Sequence, residues 1–555
     1  MAGFIGVERL AYGPWQAIER AVLRFFIHYG FVDCRLVAGP GDKGADVLAT
    51  QNGRLWVAQV KYRNRPTALD SSVVKEIIGA VNSYSAAEAV VATNQYFHPQ
   101  AREAARKASL DIGVPIRLWS GHKFLEWAKN LPEYPPLRKE LRAYQEEAVE
   151  AVDLARARGQ RMGLIVMATG LGKTRIASEI VMRELTVRPD REILVLTHRV
   201  ELAKQFEAAL WETLPKGVST HIWAGGEYPS YWGGVTCATE QSVNEEAKRA
   251  NLQGRYSLVV VDEAHHAPAD GYRKLLRILE PGFILGLTAT PWRMDERLLA
   301  EIFGPPIYSM SIVEGMQRGY LAQVDYRMLV DDVDWDQVPT LSGQGLTITE
   351  LNKKLFLSQR DEAVVSKLVQ HLNSIDNPRC IVFCRSIEHA KMIHRFLRAE
   401  GKPCSVIHSR LNRRESAKVL LEFRAGTNPV LVTVDMLNEG IDVPDVNLVV
   451  FLRVTHSRRI FVQQLGRGLR IREGKSTVRV LDFVADIRRI AAGLRLNREA
   501  TDYAHATAEK EFLRFPNGTI VNFSNDRTLK LFDEYLADVA QVEDMHDDAR
   551  LKFPP

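Results

Sequence analysis

The segment Ala168-Thr-Gly-Leu-Gly-Lys-Thr174 decides the fold of this chain. It follows the apolar run Gly163–Met167, which predicts a buried strand, and it opens a segment that predicts a helix. A glycine-rich loop at such a junction directs backbone N–H groups at phosphate, and the helix N-terminus also favours anions. Lys173 suits the β- and γ-phosphate oxygens and the Thr174 hydroxyl suits Mg²⁺, so the segment predicts a nucleotide-binding α/β domain. The usual pattern of this loop has glycine at position 167, where the chain has Met167.

Three further segments complete a catalytic site around this loop. They are Asp262-Glu-Ala-His265, Thr288-Ala-Thr290 and Gln463-Gln-Leu-Gly-Arg-Gly-Leu-Arg470. Asp262 ends an apolar run, where its carboxylate can reach the Mg²⁺ shell, and Glu263 can orient or deprotonate the attacking water. Arg467 and Arg470 can share a helix face and meet the charge that develops on the γ-phosphate. Alone, these two arginines would be interpreted as a solvated surface pair; beside the phosphate loop we interpret them as catalytic.

Strands alternate with helices through most of the chain, which predicts parallel sheets covered on both faces. At 555 residues the chain is too long for one core and should form several domains. The proline-rich segment Leu131-Pro-Glu-Tyr-Pro-Pro136 is the best candidate linker, because clustered prolines end a helix. The predicted domains cover residues 1–130, 138–318, 319–498 and 499–555, the last being a C-terminal appendage with weak periodicity.

Composition narrows the class of protein. Hydrophobic content of 46% and charged content of 25% are ordinary for a soluble globular protein. No stretch approaches the ~18 apolar residues of a membrane span, and no signal peptide is evident. Five scattered cysteines fit reduced thiols, so we expect a cytoplasmic protein without a membrane partner. A net charge of +5 is compatible with nucleic-acid binding but too small to indicate it.

The four segments together resemble superfamily 2 helicases, in which the phosphate loop has the form Ala-Thr-Gly-x-Gly-Lys-Thr, so Met167 is no departure there. The resemblance covers about residues 138–490 and implies two tandem RecA-like parallel-sheet lobes that close on ATP. It implies that Gln463 helps to position the water and that Arg467 and Arg470 act as fingers from the second lobe.

Further segments fit the same family, such as Leu141-Arg-Ala-Tyr-Gln145, Thr197-His-Arg199 and Ala238-Thr-Glu-Gln241 in the first lobe and Val382-Phe-Cys-Arg-Ser386 and Val434-Asp-Met-Leu-Asn-Glu-Gly-Ile-Asp442 in the second. The implied ATP and Mg²⁺ contacts are Gln145, Thr169, Gly170, Gly172, Lys173, Thr174, Asp262, Gly440 and Asp442, with Thr174 and Asp262 on the metal. The implied nucleic-acid contacts are Thr197, Arg199, Thr239, Gln241, Ser386 and Thr433. The sequence around Asp262 and Thr288 most resembles that of restriction-enzyme helicases and of translocases of double-stranded DNA.

A second candidate site lies near the N-terminus. Asn52-Gly53 predicts a two-residue hairpin turn, which would place Asp46 opposite Gln59 and Lys61 diagonal to Asp46 on the same face. A carboxylate and an amide oxygen can hold Mg²⁺, while a lysine can steady the attacking water or the phosphate. Glu19 shares a face of the predicted helix Trp15–Tyr29 with apolar residues, and a carboxylate there is costly unless it binds something. The alternative is an exposed sheet face, with Glu19 paired to Arg20 or Lys61.

These residues resemble the Mrr-like branch of the PD-(D/E)xK nucleases over about residues 12–128. Glu19 on the first helix, Gly44-Ala-Asp46 on the first strand and Gln59-Val-Lys61 on the second fit that order. The resemblance implies a smaller α/β restriction-endonuclease-like domain that cuts DNA with Mg²⁺ held at Asp46 and Gln59. We therefore expect an ATP-dependent DNA motor fused to an endonuclease, acting on double-stranded DNA in restriction or defence. A repair translocase whose N-terminal domain only binds DNA, and an RNA helicase, are the alternatives.

Overall fold

The computed structural model describes residues 3–37, 44–247, 251–267, 270–289, 299–330, 345–347, 350, 361–434, 446–452, 477–484, 513–514, 520–522 and 550–552. The chain divides into two compact units: Met1–Val166 with Gly172–Ser309, and Met167–Leu171 with Met310–Pro555. Among the described residues, no helix is long and apolar enough to cross a membrane.

The first unit begins with a five-stranded mixed sheet. Its elements are α1 (Val7–Tyr12), α2 (Trp15–His28), β1 (Val32–Leu36), β2 (Val47–Gln51), β3 (Arg54–Lys61), α3 (Ser72–Tyr84), β4 (Glu88–Thr93), α4 (Pro99–Ile112), β5 (Ile116–Trp119) and α5 (Gly121–Asn130). The strands lie in the order β1-β2-β3-β4-β5, antiparallel from β1 to β3 and parallel from β3 to β5. Apolar residues of α2 and of alternate strand positions form the core on one face. We refer to this part as the N-terminal domain.

A seven-stranded sheet follows in the same unit. Its elements are α6 (Ala143–Ala157), β6 (Met162–Met167), α7 (Lys173–Val187), β7 (Glu192–Thr197), α8 (Val200–Trp211), β8 (Thr220–Trp223), β9 (Val235–Thr239), α9 (Glu240–Ala247), β10 (Tyr256–Val261), α10 (Asp270–Leu279), β11 (Phe283–Thr288) and β12 (Pro306–Met310). The order is β12-β6-β11-β10-β7-β9-β8, and the pairings from β6 through β8 are parallel. Because parallel strands end at one edge, the residues after β6, β10, β7 and β9 gather there.

The second unit contains another parallel sheet. Its elements are α11 (Ile312–Gln317), β13 (Gln323–Val330), β14 (Gly345–Thr347), α12 (Asp361–Asn373), β15 (Cys380–Cys384), α13 (Ile387–Ala399), β16 (Cys404–Ile407), α14 (Arg413–Ala425), β17 (Val430–Thr433), β18 (Leu448–Leu452), β19 (Thr477–Val484), β20 (Leu513–Arg514), β21 (Ile520–Asn522) and β22 (Arg550–Lys552). The order is β16-β17-β15-β18-β19-β13-β20, with β21 also on β13. Two parallel-sheet lobes after a smaller α/β domain confirm the predicted fold class. Strands β20 and β21 come from the predicted appendage and extend this sheet.

Candidate ATPase and nuclease sites

The phosphate loop joins β6 to α7, as predicted. Gly170 and Gly172 have φ of 94° and 84°, values that glycine adopts without strain, and Lys173 begins the 15-residue helix α7. Gln145, buried on α6, lies against this loop, because a Cβ added at Gly172 would stand 2.6 Å from Gln145 Nε2. Gln145 Oε1 in turn accepts from the Arg142 backbone N–H at 3.0 Å, which fixes the amide. Gln145 therefore lies against the loop that leads into Lys173 and Thr174. Thr169 belongs to the same loop.

The Asp-Glu pair lies at the same sheet edge. Asp262 directly follows β10, and its backbone N–H donates to Leu196 O of the neighbouring strand at 2.9 Å. Glu263 has a φ of 49°, a left-handed conformation that is uncommon for a side chain of this size. His265 Nδ1 lies 3.4 Å from Glu263 Oε2 and 3.2 Å from Thr288 Oγ1. His265 therefore connects the Asp262–His265 segment to the end of β11, a contact that the sequence analysis did not predict.

The electrostatics of this edge favour a bound cation. Burial and, after it, the adjacent Glu263 carboxylate raise the pKa of Asp262 to about 7, although the Lys173 ammonium acts in the opposite direction. Two neighbouring carboxylates in a buried place are costly when both are charged, and a divalent cation removes that cost. The donor set of Asp262 and the Thr174 hydroxyl fits Mg²⁺, which prefers oxygen ligands.

The predicted nucleic-acid contacts of the first sheet follow two adjacent strands. Thr197 ends β7 and Thr239 ends β9, and these two residues are register partners. The Thr197 hydroxyl, fully buried, donates to Arg199 O at 2.9 Å, and Thr239 Oγ1 lies 2.9 Å from Ser242 Oγ. Arg199 and Gln241 are exposed beside them at the starts of α8 and α9. Both hydroxyls thus stabilise local backbone or a neighbouring side chain, and the exposed members of the predicted set are Arg199 and Gln241.

In the second sheet, two predicted contacts share one edge. Ser386 follows β15 and caps α13 by accepting from the His389 N–H at 3.1 Å. Thr433 ends the neighbouring strand β17, opposite Phe383, and its buried hydroxyl has no hydrogen-bond partner among the described residues. The predicted residues Gly440, Asp442, Gln463, Arg467 and Arg470 lie outside the described residues, as does Thr290.

The N-terminal hairpin forms in the predicted register. Asn52 and Gly53 have φ of 50° and 73°, and Val47 pairs with Ala58, so paired residue numbers sum to 105 as expected. Asp46 immediately precedes β2, and its Oδ2 accepts from the Val60 N–H at 2.6 Å. The carboxylate of Asp46 is therefore held at the end of β3 that carries Gln59 and Lys61.

A further acidic residue, Glu76 of α3, belongs to this site. Gln59 Nε2 donates to Glu76 Oε2 at 2.8 Å, and Lys61 Nζ pairs with the same oxygen at 2.5 Å. Gly44, with a φ of 86°, packs here too, since an added Cβ would stand 2.9 Å from Gln59 Nε2. The sequence does not indicate Glu76, because its approach to Gln59 and Lys61 depends on how α3 packs on the sheet.

The hairpin residues fit a magnesium ion. Gln59 is 2% exposed, and its Oε1 is buried without a hydrogen-bond partner in the described part of the chain. A buried acceptor of this kind is costly unless a ligand or water satisfies it. Those described residues contain no cluster of three or more His, Cys, Asp or Glu side chains suited to a metal. Asp46 and Gln59 supply two oxygens, and Mg²⁺ commonly completes its shell with water and substrate phosphate.

Glu19 is buried on α2. The same helix also forms ion pairs that the sequence did not predict. Trp15 is 52% exposed, so the apolar face begins after it. Arg20 does not depend on Glu19 for its ion pairs: Nε lies 2.7 Å from Glu207 Oε2, and its other nitrogens bind Glu227. Lys61 pairs with Glu76.

These ion pairs join the N-terminal domain to the seven-stranded sheet, since Glu207 lies on α8 and Glu227 follows β8. Burial lowers the pKa of Arg20, but the two carboxylates outweigh it and the pKa is raised. Arg24 adds hydrogen bonds to Val218 O at 2.8 Å and Pro215 O at 2.9 Å, and Arg9 Nη2 donates to Thr220 O at 2.7 Å. Helix α2 is therefore shared by both sheets of the first unit.

Three family matches cover most of the chain. Residues 11–128 match the family described as a restriction endonuclease of the Mrr catalytic type, residues 138–293 the res subunit of type III restriction enzymes, and residues 363–472 the helicase conserved C-terminal domain. The chain carries the two domains of a superfamily 2 helicase, and a domain of the Mrr restriction-endonuclease family precedes them. Both predicted resemblances are thereby confirmed, and the five-stranded sheet with α2 is the endonuclease domain.

Individual relatives extend over the helicase. A Schizosaccharomyces pombe protein named as the mitochondrial ATP-dependent helicase irc3 is 31% identical over 63% of this chain and 58% of its own length. The EcoKI type I restriction endonuclease subunit of Escherichia coli is 27% identical over 62% of this chain and 34% of its own. The ATP-dependent Type ISP restriction-modification enzyme LlaBIII bound to DNA shares the fold, with a TM-score of 0.53 at 17% identity, over 97% of this chain and 42% of that one. The chain spans 58% of this irc3 protein and 57% of the Saccharomyces cerevisiae protein named as the ATP-dependent helicase IRC3.

Proposed function

We propose that this helicase is an ATP-driven motor on double-stranded DNA that carries a Mg²⁺-dependent DNA endonuclease and acts in the restriction of foreign DNA. The observation that carries the proposal is the pairing of two sites in one compact unit. The Asp46–Gln59–Lys61 hairpin and the Lys173–Asp262–Glu263 edge share that unit, joined through the buried side chains of α2.

At the motor site, Lys173 and the N-terminal backbone of α7 would bind the phosphates of ATP. Thr174 and Asp262 would hold Mg²⁺, which neutralises phosphate charge when bound. Glu263, kept in place by His265, would orient the attacking water and accept its proton. Arg467, Arg470 and Gln463 remain proposed for charge stabilisation and water positioning, with Gly440 and Asp442 as further nucleotide contacts.

At the endonuclease site, Asp46 and Gln59 Oε1 would hold Mg²⁺, which activates water and stabilises the phosphorane-like charge when bound. Lys61 would leave Glu76 to contact the scissile phosphate or the attacking water. Glu19 is proposed as an additional carboxylate of this site. The lysine is 28% exposed at its side chain, so such a movement costs little packing.

The test measures plasmid and linear duplex cleavage with Mg²⁺, with and without ATP, alongside DNA-stimulated ATPase. We expect Asp46→Ala to abolish cleavage and leave ATPase intact, and Lys173→Ala to abolish ATPase. Asp111→Ala, an exposed carboxylate on α4, is the matched control and should change neither activity.

Three results would contradict the proposal in different ways. Absence of cleavage in the wild type, with DNA-stimulated ATPase present, would leave a translocase whose N-terminal domain only binds DNA. Stimulation of the ATPase by RNA and not by duplex DNA would indicate an RNA helicase instead. Survival of the protein's ability to limit infection in the Asp46→Ala variant would exclude nuclease-based restriction.

A further inference from the structure

An open cleft of about 690 Å³ lies in the endonuclease domain, on the face of the sheet covered by α2 and α5. Its walls include Tyr29, Trp56, Glu88, Arg117, Trp119 and Trp127. Trp56 pairs with Glu88 in the sheet, at the end of β3 nearest the hairpin turn. Gln59 is three residues farther along β3, so its side chain points to the opposite face. The cleft is therefore a place distinct from the cleavage site.

The cleft concentrates aromatic surface. Three of the nine tryptophans of the chain line it, although aromatic residues make up only 8% of the sequence. Tyr29 is 59% exposed at its mouth, and Trp119 and Trp127 stand edge to face with ring centroids 5.5 Å apart. Trp56 and Trp127 are half-buried and Trp119 is buried, so the rings form the walls of a concave site rather than a flat exposed patch. Concave sites lined by aromatic rings are typical of ligand binding.

The charges in the cleft restrict its ligand. The Glu88 side chain is only 9% exposed, and its Oε2 lies 3.1 Å from Arg117 Nε. The Arg117 guanidinium also lies 5.3 Å from the centre of the Trp56 ring. The Arg117 cation would repel an ammonium group, so the cleft is not an aromatic cage for such a ligand. The buried Glu88 carboxylate would repel a phosphate, so the cleft is not a phosphate site either. A neutral planar ligand remains, one that stacks on aromatic rings and both donates and accepts hydrogen bonds.

We propose that this cleft binds one unpaired nucleobase of DNA. A base offers a π-face to the aromatic walls and to Arg117, and its edge offers donors to the Glu88 carboxylate and acceptors to the guanidinium. The volume lies within the range of small-molecule pockets, so one base fits. This inference rests on the proposed action on DNA, and it gives the endonuclease domain a means of holding a strand away from the point of cleavage.

The test is photo-crosslinking of the full chain, without Mg²⁺, to a 24-base-pair duplex that contains 5-iodouracil either paired with adenine or unpaired in a mismatch. We expect the unpaired base to crosslink about tenfold more than the paired one, because a paired base must first separate from its partner before it can enter the cleft. Mass spectrometry should place the crosslink on Tyr29, Trp56 or Trp127. Free 5-iodouridine at the same concentration should crosslink far less.

Matched variants make the result specific. Arg117→Ala and Tyr29→Ala should lose most of the preference for the unpaired base, whereas Arg106→Ala, an exposed arginine on α4, should keep it. Asp46→Ala should also keep it while losing cleavage, so failure of the cleft and failure of the nuclease are distinguishable. Crosslinks that map outside the cleft, or an equal yield for paired and unpaired bases, would overturn the proposal. Crosslinking by free 5-iodouridine at an equal yield would replace DNA by a free nucleoside as the ligand.

Discussion

Gln59 has its two amide atoms in different environments. Nε2 donates to Glu76 and is satisfied, whereas Oε1 is buried and has no partner among the described residues. The amide is thus fixed in one orientation with its acceptor open, which is the arrangement that a cation ligand needs. Glutamate at this position would add a charge for the metal, but without metal it would face the Glu76 carboxylate. The amide therefore gives a site that is stable without its metal.

Gly172 offers a prediction about the phosphate loop. We expect Gly172→Ala to lower ATP hydrolysis by about 10²-fold, because a Cβ would stand 2.6 Å from Gln145 Nε2 and displace the loop backbone. The control is Gly159→Ala, also at positive φ (76°) but with no atom within 4 Å of the added Cβ. It carries the backbone strain without the crowding, so its ATPase should stay near that of the wild type. Equal losses in both variants would show that crowding against Gln145 is irrelevant.

At the scale of elements, the sequence predicted local pairing well and tertiary partners poorly. The Asn52-Gly53 turn determined the register of β2 and β3, so the places of Asp46, Gln59 and Lys61 followed from a two-residue period. Glu76 could not be predicted, because nothing local indicates which residue of α3 packs over β3. The partners of Arg20 are 187 and 207 positions away on α8 and after β8, and only the folded chain brings them together.

Helix α2 should therefore be sensitive to loss of Arg20. Its removal leaves Glu207 and Glu227 buried without their counter-ion, and burial already raises the pKa of Glu207. We expect Arg20→Ala to lower the free energy of unfolding of the first unit by about 3–5 kcal/mol, measured by urea denaturation. Arg106→Ala, which breaks an exposed ion pair with Glu103, is the control and should have no measurable effect. A small decrease in the free energy of unfolding for Arg20→Ala would mean that these ion pairs contribute little to holding the two sheets together.

On the scale of the whole molecule, the endonuclease domain and the first helicase sheet lie in one compact unit. The boundary between them contains both buried charges and packed aromatic rings. Trp211 of α8 lies in the endonuclease core, and its Nε1 donates to Thr220 Oγ1 at 2.9 Å. A boundary of this kind transmits displacement of one sheet to the other, since packed interiors deform little. In the proposed ATP-driven motor, a movement of the first sheet would therefore carry the endonuclease domain with it.

The same boundary should make the molecule sensitive to acid. Burial, with Arg24 nearby, lowers the pKa of His28 to about 3, and burial, with Arg9 and Arg20 nearby, lowers the pKa of His221 to about 3. The ordinary value is 6.5, so between pH 6.5 and 3 the unfolded chain binds more protons than the folded one. Above pH 6.5 both histidines are neutral in the folded and the unfolded chain and cost no stability. As the pH decreases, the free energy of unfolding falls, by on the order of 2 kcal/mol for each histidine at pH 5.

Thermal unfolding between pH 5 and 7.5 checks this prediction through its slope. The double variant His28→Gln/His221→Gln should show a weaker decrease in unfolding temperature on acidification than the wild type, whatever its stability at pH 7.5. Because the raised pKa of Glu207 acts in the opposite direction and is present in both proteins, the difference between their slopes isolates the histidines. His122→Gln, an exposed position on α5, should leave the slope unchanged. Parallel slopes for the wild type and the double variant would show that the two histidines do not control the acid response, and the coupling of the two sheets would then be independent of pH in this range.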